Sequence, residues 1–228
     1  MKLSIIIPHH NGEDLLHNCL ESLLNNISIQ DFEIIVVDNG STDDSAEKAK
    51  ENFPSINLLK SEKNLGYSGG CNLGAKDSKG EYIIFLNNDT FHEKNWIEEL
   101  IKFLDKNPQA GAAQPKILNA INKEKFDYAG GAGGFIDKYC FPFARGRIFN
   151  TLEKDLNQYQ NPKKIFWASG AGFIIRRKLL TKLNYFSNIY FAYMEEIDLS
   201  WRLQAMGWSI WNVPCLLYTS DAADEITG

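Results

Sequence analysis

Cysteine is sparse: Cys19, Cys71, Cys140 and Cys215 are scattered, with no Cys-x-x-Cys or Cys/His spacing. That removes the basis for a structural zinc site or a disulfide framework. Positive charge is not in excess, because 24 Lys and Arg face 29 Asp and Glu for a net charge of −5. No nucleic-acid partner is expected, since a general binder would carry a basic patch. Local basic clusters such as Arg176-Arg177-Lys178 read as solvated helix starts or, alternatively, as contacts for phosphate or anionic lipid. No apolar run is long enough to cross a bilayer, and Met1-Lys2-Leu3 leads into a strand-like segment with no signal-peptide pattern. A cytoplasmic location is expected, with peripheral contact at the inner face of the cytoplasmic membrane left open. No Pro/Ser/Gly-rich linker divides the 228 residues, so one domain with one sizeable core is the simplest organisation. Composition, at 44% hydrophobic and 23% charged residues, excludes disordered and collagen-like chains.

Within those bounds, strand-like and helix-like patterns alternate. Residues 3–7 are a β-branched run stopped by Pro8, and after the loop 9–14 comes a helical stripe of Leu15, Leu16, Cys19, Leu20, Leu23 and Leu24. Residues 32–37 form a second buried run ending in Asp38, and Ser41-Thr42-Asp43-Asp44 supplies N-cap chemistry for a helix to about residue 53. Residues 56–59 read as a third strand. The segment 64–72 reads as a glycine-rich loop leading into a short helix that breaks near 78–80. A strand over 82–86 and a helix over 95–105 follow. This alternation at short spacing predicts an α/β protein with a parallel sheet and right-handed crossovers. From 115 to 160 the text is irregular, with loops and short strands around Gly130-Gly131-Ala132-Gly133-Gly134. Residues 166–175 read as a strand broken at 169–172. Helices through 183 and over about 194–206 follow, then a last strand over 209–213.

The strand Tyr82-Ile83-Ile84-Phe85-Leu86 has no polar alternation, so it must be covered on both faces, and it ends abruptly in Asn87-Asn88-Asp89. Ligands of open α/β sheets sit at the carboxyl ends of strands. One carboxylate with flanking amides suits a hard cation that also holds a diphosphate. The plainer alternative is a turn into the helix near Asn95. Asp38 closes an equally buried strand, where a carboxylate can accept hydrogen bonds from a base or ribose. A dinucleotide enzyme would look similar there, yet Pro8-His9-His10-Asn11-Gly12-Glu13 holds no G-x-G-x-x-G at the first helix. The glycines follow the third strand instead, which fits backbone amides closing over the phosphates or sugar of a nucleotide. In Met194-Glu195-Glu196-Ile197-Asp198-Leu199-Ser200-Trp201-Arg202, helical spacing puts Met194, Ile197 and Trp201 on the core face, opposite Glu195, Asp198 and Arg202. Acids at a helix start also complement its dipole, which is the purely structural reading. The aromatic, loop-like segment 186–193 before them argues instead for a sheltered entrance, where a carboxylate pKa is raised for base catalysis.

Five segments, in this order and spacing, resemble the family 2 glycosyltransferases of the GT-A fold, especially the rhamnosyltransferase-like bacterial branch. They are Ser4-Ile5-Ile6-Ile7-Pro8, Val36-Val37-Asp38-Asn39-Gly40-Ser41-Thr42-Asp43, Asn64-Leu65-Gly66-Tyr67-Ser68-Gly69-Gly70-Cys71-Asn72, Asn87-Asn88-Asp89 and Glu195-Glu196-Ile197-Asp198. The likeness runs to about Pro214. It implies a single-domain, Rossmann-like α/β fold with a mostly parallel central sheet flanked by helices. It also implies a metal-dependent, inverting glycosyltransferase of the hexosyltransferase type, working in polysaccharide or cell-envelope glycan synthesis. The donor would be a nucleoside-diphosphate sugar, dTDP- or UDP-linked, and the acceptor a glycan or lipid-linked glycan. By the same resemblance Asp38 and Asn39 meet the nucleobase beside a loop containing Pro8, His10 and Asn11. Asn64, Gly66, Gly69, Gly70 and Asn72 belong to the donor-binding segment. Asn87, Asn88 and Asp89 attend the diphosphate, with Asp89 binding Mg²⁺ or Mn²⁺. Ser169 and Gly170, after Trp167, lie beside donor and acceptor. Glu196 is the base that deprotonates an acceptor hydroxyl for in-line attack on the anomeric carbon, with Glu195 its close competitor. His10 stands where relatives often have Tyr, and Asn87 stands where the family's D-x-D has its first acid. The second departure leaves more of the metal's hold to Asp89 and the diphosphate.

The tail departs further. Residues 215–225, Cys-Leu-Leu-Tyr-Thr-Ser-Asp-Ala-Ala-Asp-Glu, are a reading frame of the transposon-end adapter used in sequencing libraries. Residues 1–214 are therefore expected to be the glycosyltransferase domain, truncated before a histidine-containing loop, and 215–228 a non-native tail. No role is then expected for Asp221, Asp224 or Glu225. Two rivals stand beside this reading. One is a catalytically impaired fragment or nucleotide-sugar binding module. The other is a sugar-nucleotide pyrophosphorylase, which would place a glycine- and arginine-rich loop where this chain has residues 9–14.

Overall fold

Continuous apolar runs form the centre of one sheet. The computed structural model describes residues 1–128 and 130–220. Its first half runs β1 (Leu3–His9), α1 (Glu13–Asn26), β2 (Phe32–Asp38), α2 (Ser45–Asn52), β3 (Asn57–Lys60), α3 (Gly66–Asp77), β4 (Tyr82–Leu86), β5 (Thr90–His92) and α4 (Trp96–Lys106). Its second half runs β6 (Ala110–Asn119), β7 (Gly134–Ile136), β8 (Pro142–Ala144), β9 (Arg147–Ile148), β10 (Thr151–Leu152), β11 (Lys163–Ile165), β12 (Gly172–Arg176), α5 (Arg177–Lys182), α6 (Glu195–Ala205) and β13 (Ser209–Thr219). The main sheet follows the path β11-β13-β6-β12-β4-β1-β2-β3, with β5 added on β13. Strands β3, β2, β1 and β4 are parallel and joined through α1, α2 and α3. Strand β12 enters antiparallel between β4 and β6, and β13 runs parallel to β6. The expected α/β domain, with helices flanking a central sheet that is parallel through its first half, is what forms.

Alternation along the strands divides the core in two. Ile5 and Ile7 of β1 pack with Leu16 and Leu20 of α1 and Leu100 of α4, whereas Ile6 packs with Cys71 and Ala75 of α3 and Leu199 of α6. Both faces of β1 and β4 are thereby covered, as their unbroken apolar sequence requires. The site-bearing ends emerge from a sheet that cannot shift register without exposing one of these cores. No helix among the described residues is long and apolar enough to cross a membrane.

Four local expectations change. The glycine-rich segment is helix from Gly66 onward, because its glycines let α3 lie close on the sheet: a Cβ on Gly74 would meet Ile6 Cγ2 at 2.6 Å. Packing there outweighs the low helix propensity of glycine. Strand β6, buried along its whole length, is hidden in sequence by its Ala-Gly-Ala-Ala start and by Pro115. In α6 the buried positions are Glu195, Ile197, Leu199, Ser200 and Leu203, while Met194 is exposed and Trp201 is 46% exposed, so the expected core face is turned. The last strand continues past Val213. After a register shift between Val213 and Leu216, Leu217 and Tyr218 pair with Ile117 and Leu118 of β6, and Leu217 is fully buried. Of the segment expected to be a non-native tail, 215–219 thus lies on the sheet, and 221–228 lies outside the described residues.

Candidate active site

Parallel strands bring their carboxyl ends to one edge, so the chemistry-bearing turns after β1, β2 and β4 become neighbours. At the end of β2, Asp38 is buried and one of its carboxylate oxygens accepts the Ser41 N–H at 2.9 Å. Asn39 holds the next loop: its amide donates to Asn64 Oδ1 and Gly66 O, and its oxygen accepts the Leu65 N–H. After β1, His10 is exposed, while Asn11 bridges to the β2 loop by accepting the Thr42 N–H at 2.8 Å. Pro8 lies against α3, where a Cβ on Gly70 would come within 3.1 Å of it.

A buried chain of hydrogen bonds connects these turns. His9 Nε2 lies 2.7 Å from Ser45 Oγ, whose hydroxyl donates to Asp43, and His9 Nδ1 lies 2.9 Å from the amide nitrogen of Asn88. Since the Ser45 hydroxyl hydrogen goes to Asp43, Ser45 can only accept from His9, and His9 carries its proton on Nε2. Nδ1 is then the acceptor for Asn88. The Ser45 hydrogen bond holds the Asp43 carboxyl below its usual range, and burial holds the His9 imidazole pKa down. The turn 87–89 is fixed from one side by this chain.

The acids of α6 sit differently. An open cavity of about 270 Å³ is lined by Tyr67, Asn87, Trp167, Ser169, Gly170, Ala171, Ala192, Tyr193, Glu195 and Glu196. Glu195 is 5% exposed, and its Oε2 has no hydrogen-bond partner among the described residues. Burial raises its pKa. Burial, reinforced by Glu195 next to it, pushes Glu196 up to about 7. The Tyr67 hydroxyl donates to Gly170 O at 2.6 Å; burial and then the nearby Cys71 and Glu195 push this phenol well above its ordinary value. The Gly130–Gly134 segment packs against Trp167, so closely that a Cβ on Gly134 would lie 2.0 Å from the Trp167 ring. The Trp167 indole donates to Phe135 O, which fixes its plane.

The predicted residues therefore fall into groups. Asn87, Ser169, Gly170, Glu195 and Glu196 share one cavity. Gly69 and Asn72 line a separate depression of about 330 Å³ with Lys76, Asn188 and Tyr190. There the Asn72 amide is committed to both backbone groups of Phe186. Gly66 adopts φ +71° and lies against the loop before α6, where a Cβ would fall 2.1 Å from Phe191 O. A polar groove of about 360 Å³ beyond α6 is held by Arg202, which binds Asp198, Leu183 O and Tyr185 O. The Arg202 and Asp198 charges there are spent on each other. Tyr67 and Tyr193 are cavity residues that sequence reasoning missed. Tyr67 lay inside a segment read for its glycines, and nothing in the spacing aims Tyr193 at the acids.

Asp89, 5% exposed, stands two residues beyond Asn87, and Ser220 Oγ lies 3.4 Å from its Oδ2. Among the described residues no three His, Cys, Asp or Glu side chains gather into a metal cage. One carboxylate fits an ion that arrives with phosphate oxygens, rather than one the protein holds alone.

The profile of the family described as Glycosyl transferase family 2 matches residues 4–184. N-acetylglucosaminyl-diphospho-decaprenol L-rhamnosyltransferase of Mycobacterium tuberculosis (strain CDC 1551 / Oshkosh) is 26% identical over 212 residues, covering 86% of this chain and 69% of that protein. Poly(ribitol-phosphate) beta-glucosyltransferase of Bacillus spizizenii is 40% identical over 96 residues, covering 40% of this chain and 15% of that protein. The crystal structure of GalNAc-T7 with UDP, GalNAc and Mn2+ superposes with a TM-score of 0.77 at 17% identity, covering 96% of this chain and 44% of that one. S. aureus TarS 1-349 superposes with a TM-score of 0.69 at 20% identity, covering 96% of this chain and 60% of that one. This chain thus spans less than two thirds of either solved chain, and at these identities the likeness shows the fold.

Proposed function

The chain belongs to glycosyl transferase family 2, and we propose that it is a metal-dependent, inverting glycosyltransferase of cell-envelope glycan synthesis. It takes a sugar from a nucleoside-diphosphate donor and places it on a hydroxyl of a glycan or lipid-linked glycan. The observation that carries this reading is the carboxylate pair at the entrance of α6, with Glu196 pushed up to about 7 in a cavity it shares with the turn after β4. A base is most effective when its pKa lies near the working pH. Glu196 accepts the proton of the acceptor hydroxyl as that oxygen bonds to the anomeric carbon, and the carbon–oxygen bond to the diphosphate breaks on the opposite face. Glu195, buried behind it, keeps the pair from ionising together. Asp38, Asn39 and the turn at Asn11 receive the nucleoside, and Asp89 with Asn87 faces the diphosphate. A divalent ion there, Mg²⁺ or Mn²⁺, neutralises charge on the leaving group when bound. The rhamnosyltransferase relative supports a deoxysugar donor such as dTDP-rhamnose, and the Mn2+ and UDP of the solved neighbour support a metal–diphosphate pair.

The test is a thermal-shift screen of UDP-, dTDP- and GDP-sugars with Mg²⁺ or Mn²⁺, followed by a transfer assay. A donor that binds the folded state raises its apparent melting temperature. Stabilisation by one donor together with transfer supports the reading; stabilisation without turnover favours the impaired fragment or binding module. The adapter origin of residues 215–228 remains our proposal as well. Long reads across the locus test it, and a genomic codon run through Glu225 without adapter sequence would sink it.

A further inference from the structure

Two hairpins, the first of them rooted on the cavity wall, carry apolar side chains which nothing among the described residues covers. The first, β7–β8, is rooted on Trp167: Gly134 and Trp167 exchange backbone hydrogen bonds, and the indole donates to Phe135 O. Its turn holds Tyr139 and Phe141, each 69% exposed, on either side of Cys140 at φ +67°. The second, β9–β10, turns through Phe149, which is 90% exposed at φ +51°. A bulky residue in the left-handed region is uncommon, and a Phe gains nothing from water there. A folded chain selected only for solubility would place Asn or Gly at that corner.

Charge around these tips runs against the rest of the molecule. Across the two hairpins, residues 134–152, Lys138, Arg145 and Arg147 face Asp137 alone, a local excess of +2 in a chain whose net charge is −5. Lys138 Nζ lies 4.9 Å from the centre of the Tyr139 ring, and the Arg147 guanidinium stacks 3.7 Å from the centre of the Tyr128 ring. Aromatic rings interleaved with cations suit the headgroup zone of a bilayer, where rings sit in the boundary and cations meet anionic lipid. Across the cavity, the loop before α6 presents Phe191 and Tyr193, both exposed.

We propose that the β7–β8 and β9–β10 tips, led by Phe141 and Phe149, seat this chain on an anionic lipid surface. On the transferase reading, the cavity beside Trp167 would then face acceptors carried in that surface. Docking itself does not depend on transfer, so binding and activity fail separately. The experiment is co-sedimentation of the full chain with vesicles of phosphatidylglycerol and phosphatidylcholine, and with phosphatidylcholine alone, at low and high salt. The double variant Phe141→Ser and Phe149→Asn removes both anchors, and Asn accepts the left-handed corner, so folding is retained; circular dichroism and melting temperature check that. The parent is expected to bind the anionic vesicles and lose them at high salt, with affinity at least about tenfold lower in the double variant. Failure of the parent to bind overturns the proposal, and so does undiminished binding by the variant. A parent dimer in sedimentation velocity that the same variant dissolves would assign the tips to a second copy instead.

Discussion

Asn39 at the end of β2 donates to Asn64 and Gly66 and accepts from Leu65, whereas Glu195 at the entrance of α6 keeps Oε2 buried with no partner among the described residues. The same contrast extends to their neighbours. Around β1 and β2, Asp38 holds Ser41, Asn11 holds Thr42 and His9 holds Ser45, so the turns are set before any ligand arrives. Around α6, two adjacent carboxylates are pressed together in a cavity lined by Tyr67, Trp167 and Tyr193. Satisfied polar groups give a fixed cradle, and unsatisfied ones hold chemical potential at a fixed place. A transfer site needs both, because the donor must be oriented and the acceptor proton must be taken.

Removing the strained member gives the largest effect. Glu196→Gln keeps the shape and removes the proposed base, so turnover is expected to fall by about 10²–10⁴-fold while donor affinity holds. In the parent, kcat/KM should climb with pH through about 7, as Glu196 gives up its proton. The variant should lose that limb. Stability moves the other way. Glu196 binds its proton more tightly folded than unfolded, so its stabilising contribution is present below the unfolded value of 4.5 and is lost as pH rises through 7. Melting of Glu196→Gln should therefore gain on the parent above pH 7. A flat pH–rate profile in the parent would return the base role to Glu195 or refute it for both.

On the cradle side, Asp89→Ala removes the single carboxylate after β4. The expected loss is about 100-fold in kcat/KM, read mainly as a higher requirement for donor and divalent ion. Titration of activity against Mn²⁺ separates this from misfolding, since excess ion should recover part of the rate. Equal metal dependence in parent and variant would move the metal station elsewhere.

The parts of this site that were legible in sequence are those that follow a strand. Asp38, Asn39 and Asn87-Asn88-Asp89 could be placed on one edge because each follows a buried strand of the parallel part of the sheet. The raised carboxylates of α6 were found from the aromatic text before them. What failed was everything set by close approach. The glycines of α3 look like a flexible loop until Ile6 is seen 2.6 Å from the place of a Cβ on Gly74. Strand β6 begins with Ala and Gly where helices press on its face: a Cβ on Gly111 would lie 3.0 Å from Trp208, 3.1 Å from Leu179 and 3.2 Å from Leu203. The face of α6 was misread since burial of Glu195 is a tertiary outcome, and helical periodicity assigns acids to solvent.

Gly66 joins the two regions and gives an intermediate effect. At φ +71°, with Phe191 O at 2.1 Å from a built Cβ, Gly66→Ala must strain α3 or push back the loop before α6. The expected cost is about 2–3 kcal/mol in denaturant unfolding. Activity should fall further than stability, because the displaced loop carries Tyr193 to the cavity. A variant as stable as the parent would show that the two regions are not braced at this contact.

The smallest effect tests the cradle at its most internal point. Ser45→Ala removes the oxygen that accepts from His9 Nε2, leaving a buried donor without its partner at a cost of about 1–2 kcal/mol. It also frees the imidazole to place its proton on Nδ1, which would turn that nitrogen from an acceptor for Asn88 into a donor facing an amide N–H. Nitrogen chemical shifts of His9 should report the Nε2–H form in the parent and a mixture in the variant. If the cradle acts by holding Asn88 and hence Asp89, the variant's donor KM rises while kcat and the limb near pH 7 stay in place. A change in that limb would instead mean that the two acid stations, satisfied and strained, are coupled through the cavity rather than built independently.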